Sequence, residues 1–99
     1  MIEIDYKSDY YGFDISIKGH AGFAKEGKDI VCAGVSILIQ TLVARVKEVT
    51  VSYQINYDRK QIRHIEASGR EAADIFRTIL VGLKLLADHY PEYITLGRL

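Results

Sequence analysis

The sequence predicts a two-layer α+β domain: a mostly antiparallel sheet of four to five strands with two helices packed on one face, in the order ββαββαβ. Three observations carry this. Polar and apolar residues alternate in "MIEIDY" and "YGFDISIK", and again in "VTVSYQINY" and "IRHIEA", the period of half-buried strands. Each of these two pairs is joined by a short polar stretch, as in a hairpin. Two longer apolar segments, one after each pair, read as helices that must cover a sheet.

The elements follow in order. "MIEIDY" puts Ile2, Ile4 and Tyr6 on one face, and "YGFDISIK" does the same with Phe13, Ile15 and Ile17; "KSDYYG" connects them. From Gly19 to Lys28 neither period is sustained and Gly19, Gly22 and Gly27 punctuate the chain, which reads as a loop. An apolar helix runs from Asp29, its expected N-cap, to about Glu48. Val49, Val51, Tyr53, Ile55 and Tyr57 then alternate on one strand face, and "DRKQ" turns the chain into "IRHIEA". "SGRE" has the form of a capping box, Ser68 reaching forward and Glu71 back. It opens a helix whose stripe is Ala72, Ile75, Phe76, Ile79, Leu80, Leu83 and Leu86. Pro91 stops that helix, and "EYITL" supplies a short last strand.

Composition narrows the function classes. The 99 residues, 48% hydrophobic and 26% charged, fit one domain spanning 1–99. A chain of this size buries only roughly two thirds of its unfolded surface, so a homodimer that completes the core, partly across the other sheet face, fits the length. Thirteen basic residues balance thirteen acidic ones without a Lys/Arg run, which argues against direct nucleic-acid binding. One cysteine forms no internal disulfide, and the N-terminal segment has neither the basic start nor the apolar run of a signal peptide, so a cytoplasmic protein is expected. "IVCAGVSILIQTLVARV" is interrupted by Ser36, Gln40 and Arg45 and reads as a buried core helix rather than a membrane span.

The chemistry concentrates in "GHAGFAKEGKDIVCAG". At about 100° per residue, Asp29, Cys32, Ser36 and Gln40 fall within a helical sector roughly 80° wide, a polar stripe on an apolar helix. Cys32 lies in the first turn, where unpaired amides and the helix dipole favour a thiolate. His20 closes the second strand, and a linker of eight residues separates it from Asp29, long enough to bring the imidazole to the thiol. Each residue also has a structural reading: Cys32 as a small core hydrophobe, Asp29 as an N-cap whose charge opposes the thiolate, and Ser36 bonded to the carbonyl four residues back. The seven tyrosines either pack the sheet or, near hairpin and strand ends, line a peptide groove. His64 in a strand and His89 at a helix end share no ligand spacing with Cys32, so neither metal nor other cofactor is expected.

The pair "GHAGFA" and "GKDIVCAGVS" resembles the motifs of the ribosomal-processing cysteine proteases (Prp), and the later hairpin and the final helix running into "YPEY" keep that family's order. The resemblance implies a cysteine endopeptidase that removes the N-terminal extension of large-subunit ribosomal protein twenty-seven in bacteria. It further implies a homodimer with a mobile loop between histidine and cysteine. Matching motif positions makes Cys32 the nucleophile and His20 the general base and acid. Asp29 and Ser36 become supporting polar groups, Gly19 holds the turn into His20, and Ala33 with Ser36 are candidate oxyanion donors. The alternative is a noncatalytic module that binds the ribosome or a ribosomal protein, with Cys32 as packing.

Overall fold

The computed structural model describes residues 1–19 and 30–98. The elements run β1 (Ile2–Asp9), β2 (Gly12–Gly19), α1 (Ile30–Val49), β3 (Tyr53–Asp58), β4 (Gln61–Ser68), α2 (Arg70–His89) and β5 (Ile94–Arg98). They form one mixed sheet in the order β3-β4-β2-β1-β5, in which only the β1–β5 pair is parallel.

The strand alternation decides which sheet face is covered. Ile2, Ile4, Phe13, Ile15, Ile17, Ile65 and Ala67 are buried together with the apolar faces of both helices, so α1 and α2 lie on one side. Phe76 of α2 is fully buried and stacks on Phe13, with ring centroids 4.6 Å apart and planes 8° from parallel. The two helices approach closely because each has a glycine at the contact, Gly34 against Leu86 and Gly82 against Leu38. The uncovered face carries polar side chains such as Asp14, Ser16, His64 and Glu66. On the helices, Ile37, Val81 and Leu85 are exposed apolar side chains.

Several boundaries depart from the sequence reading. The first hairpin is tighter than expected: β1 continues to Asp9, which pairs with Gly12, and the Asp9 carboxylate accepts the Tyr11 amide at 2.7 Å. Val49 ends α1 and Val51 lies outside β3, almost wholly exposed, so the alternation that included them is coincidental. The capping box is not made. Gly69 is the N-cap, at φ 129, with no side-chain cap hydrogen bond, and Ser68 is the last residue of β4. That junction is held from elsewhere: Thr50 Oγ1 donates to the Ser68 carbonyl and accepts from the Ser52 amide, both at 3.0 Å. By length and composition α1 could cross a bilayer. In the fold it gives Val31, Val35, Ile39, Leu42, Val43 and Val46 to the core, as a core helix does.

Candidate active site

Helix periodicity places the thiol. The buried stripe of α1 begins at Val31, and the adjacent stripe, one residue on, carries Cys32, Ser36 and Gln40. With α1 starting at Ile30, Cys32 is in its first turn, where amide groups lack carbonyl partners within the helix and the dipole favours negative charge. Cys32 is half-buried and packs against the core, while Ser36 and Gln40 are exposed.

The stripe faces a groove of about 950 Å³ between α1 and the tip of the β3–β4 hairpin. Cys32, Ala33, Ser36 and Gln40 line one side, with Tyr57 and Ile62 on the hairpin side and Gly19 at the end of β2. The hairpin contributes this wall because a register shift between Asn56 and Tyr57 pairs Tyr57 with Ile62. Ser36 Oγ accepts from Gln40 Nε2 at 2.8 Å, a bond along the same helical stripe. One position past Gln40, Thr41 Oγ1 donates to the Ile37 carbonyl at 2.7 Å.

Gly19 ends β2 at φ 82, the left-handed region that favours glycine, and a β-carbon there would overlap the Met1 carbonyl oxygen. The backbone therefore leaves the strand on a path that a side chain at this position obstructs. His20 and Asp29 lie outside the described residues. The structure thus brings Gly19, Cys32, Ala33 and Ser36 to one groove. Sequence reading does not single out Tyr57 or Ile62 as site residues, because they come to the groove through a bulge that leaves no local pattern. Tyr57 alone carried a signal, as a tyrosine near a hairpin end.

Two other polar features lie away from the thiol. A cleft of about 720 Å³ at the opposite end of the sheet is lined by residues such as Tyr11, Tyr53 and Glu66, and by neither Cys32 nor Ser36. On the open sheet face, His64 Nε2 lies 2.9 Å from Asp14 Oδ1 and His64 Nδ1 3.3 Å from Asn56 Oδ1. Together with Glu66 these bring three potential metal-ligand atoms within 4.8 Å of one another. Spacing does not reveal the group because Asp14 reaches it from β2 while His64 and Glu66 lie on β4, and Glu66 is exposed; the close contact within it is a cross-strand hydrogen bond.

A small α+β domain with a cysteine in the first turn of a core helix, opening onto a groove wide enough for a peptide, has the architecture of a thiol hydrolase. The family model for cysteine protease Prp matches residues 1–95. A Staphylococcus aureus protein named ribosomal processing cysteine protease Prp is 35% identical over 89 residues, covering 85% of this chain and 84% of its own. The Mycoplasma genitalium protein of the same name is 33% identical over 100 residues, covering 99% and 96%. The crystal structure of the S. aureus ribosomal processing protease Prp, with a covalently linked product peptide, superposes with a TM-score of 0.81 at 29% identity over the full length of both chains. The chain belongs to the Prp family of cysteine proteases.

Proposed function

We propose that this protein is a cysteine endopeptidase that removes the N-terminal extension of large-subunit ribosomal protein twenty-seven during bacterial ribosome assembly, using Cys32 as nucleophile and His20 as general base and acid. The observation that carries the reading is the groove itself: Cys32 lines it from the first turn of α1, and Gly19, the residue before His20, lines it from the end of β2. The relatives named as ribosomal processing proteases, and the product peptide covalently held in one of them, support the substrate class.

In this mechanism His20 accepts the Cys32 thiol proton, and the thiolate attacks the scissile carbonyl carbon, forming a C–S bond as the carbonyl electron pair moves onto oxygen. Amides at the start of α1, including that of Ala33, and the Ser36 hydroxyl donate to that oxyanion. Collapse breaks the C–N bond, and the imidazolium gives its proton to the departing amine. Water, deprotonated by His20, then hydrolyses the thioester and restores the thiol. Asp29 supports this chemistry by orienting the imidazole, and Gly19 by holding the turn into it. The enzyme acts in the cytoplasm as a homodimer, for which the exposed Ile37, Val81 and Leu85 offer apolar surface on the helical layer.

The test is cleavage of the ribosomal protein bearing its extension, with Cys32→Ala and His20→Ala variants alongside. The proposal requires one cut in the extension by the parent and at least a thousandfold loss in each variant, of the order that removing a catalytic group costs. Cleavage that survives Cys32→Ala, or an intact substrate with the parent protein, overturns it.

A further inference from the structure

The open face of the sheet carries a side-chain cluster that the peptidase chemistry does not use. β2 and β4 pair so that Asp14 stands directly opposite Glu66, and Ser16 opposite His64. Like charges set opposite each other weaken a strand pair, so two carboxylates at one register position call for a cation. His64 reaches the same point from two residues along β4, with Nε2 2.9 Å from Asp14 Oδ1. A protonated imidazole balances at most one of the two charges. Lys7 pairs with Asp14 on the β1 side but makes no ion pair among the described residues.

The cluster supplies ligands, an outer contact and an entry path, as a metal site must. Its ligand atoms are one imidazole nitrogen and two carboxylate oxygens, all within 4.8 Å of one another. Neighbouring ligands on an ion with bonds of about 2.1 Å stand roughly 3.0–3.4 Å apart in octahedral or tetrahedral geometry. The Asp14–His64 separation is already close to such an edge, and the exposed Glu66 side chain closes the remaining gap by rotation. Asp14 and His64 are held more firmly, with 21% and 29% of their side chains exposed. Asn56 supplies the outer contact: it pairs with His64 across the β3–β4 ladder, and its Oδ1 lies 3.3 Å from His64 Nδ1. Metal-bound histidines commonly donate their second N–H to such an oxygen, which fixes the tautomer that leaves Nε2 unprotonated. Asp14 and Glu66 also line the cleft of about 720 Å³, which gives an ion a route in and water a place at the remaining coordination positions.

We infer that Asp14, His64 and Glu66 bind one divalent transition-metal ion, of the class of Zn²⁺, on the sheet face that the helices leave open. On binding, the ring proton resides on Nδ1 and is donated to Asn56 Oδ1, and the ion takes the place of the hydrogen bond between Nε2 and Asp14. An imidazole beside two carboxylates selects such an ion over Mg²⁺ and Ca²⁺, which take oxygen ligands. Asp14 and His64 are 50 residues apart in sequence, so the ion ties β2 to β4, the junction between the two hairpins, and closes a long loop.

The test uses the full chain as His20→Ala/Cys32→Ala, so that the thiol and its expected partner do not compete for the metal. Isothermal titration with Zn²⁺ should give one ion per chain, and Mg²⁺ should bind at least tenfold more weakly. His64→Ala and Asp14→Asn should each weaken Zn²⁺ binding at least tenfold, the scale on which lost metal-site contacts act. Zn²⁺ should raise the Tm of this chain more than that of Glu66→Gln, an exposed substitution that keeps the Asp14–His64 contact and so keeps the test open if the other variants unfold. Substoichiometric Mn²⁺ should broaden the amide NMR signals of residues 14–16, 54–56 and 64–66 before others. Several results overturn the assignment and leave the cluster a cross-strand hydrogen bond: no saturable Zn²⁺ binding below about 1 mM, affinity within twofold of the parent in His64→Ala or Asp14→Asn, an equal rise in Tm for Glu66→Gln, Mg²⁺ binding as tight as Zn²⁺, or broadening centred elsewhere, as at His89.

Discussion

Replacing Gly19 with alanine perturbs the fold and the site through a single β-carbon. At φ 82 an alanine carries the left-handed penalty of about 1–2 kcal/mol. Its β-carbon would also overlap the Met1 carbonyl oxygen, a backbone atom that cannot rotate aside as a side chain would. Gly19 pairs with Ile2 at the end of the β1–β2 ladder, so the overlap is relieved by opening that one pair, for about 1 kcal/mol of lost hydrogen bonding. The total, about 2–3 kcal/mol, corresponds to a fall in Tm of at least about 8 °C for a domain of this size. Gly97→Ala is the control, since its β-carbon would meet Asp5 Oδ1 at 2.6 Å, a side-chain atom free to swing away, and it should cost under about 1 kcal/mol. Urea unfolding of the two variants gives the stability difference. If Gly19 positions His20, kcat/KM for the extended ribosomal protein should fall about 10- to 100-fold at a temperature where the variant is still folded. A Gly19→Ala protein within 0.5 kcal/mol of the parent would refute the backbone argument. A destabilised one with unchanged kcat/KM would refute the positioning role.

Further outcomes follow from the core and the turns. Phe76→Ala removes a fully buried ring stacked on Phe13 and should cost about 3–5 kcal/mol in chemical unfolding, a large share of the stability of a domain this size. At the β4–α2 junction, Ser68→Ala should stay within about 0.5 kcal/mol of the parent because no side-chain cap is made, whereas Thr50→Ala, which loses two hydrogen bonds, should cost about 1–2 kcal/mol. Arg59→Asn/Lys60→Gly puts residues that tolerate the left-handed region at both central turn positions and should raise stability by about 1–2 kcal/mol in thermal unfolding.

The sequence revealed those features whose causes are local. Strand alternation identified Ile2, Ile4, Phe13, Ile15 and Ile17 as inward-facing, and the apolar stripe of α2 identified Phe76 and Leu83, because burial on one face imposes a period of two or 3.6. The parallel pairing of β5 with β1 was not legible, since hairpins determine only neighbouring strands and Ile94 meets Ile2 through a crossover by α2. Val51 was misassigned because a β-branched residue alternating by chance looks like a strand residue, and its true environment is set by the bend after α1. Cys32, Ser36 and Gln40 were legible as a stripe because helical geometry places them together. The opposite wall of the groove was not, because Tyr57 and Ile62 come into register through a bulge. The capping box failed because Gly69, in a conformation suited to glycine, occupies the cap position itself.

The account stands or falls on whether acyl transfer runs through Cys32. Rapid-quench intact-mass measurement during cleavage of the extended ribosomal protein addresses this directly. It should show a transient adduct of one acyl fragment per chain, located on Cys32 by peptide mapping and absent, with cleavage, from Cys32→Ala. Full-rate cleavage by Cys32→Ala, or an adduct located on another residue, would contradict it.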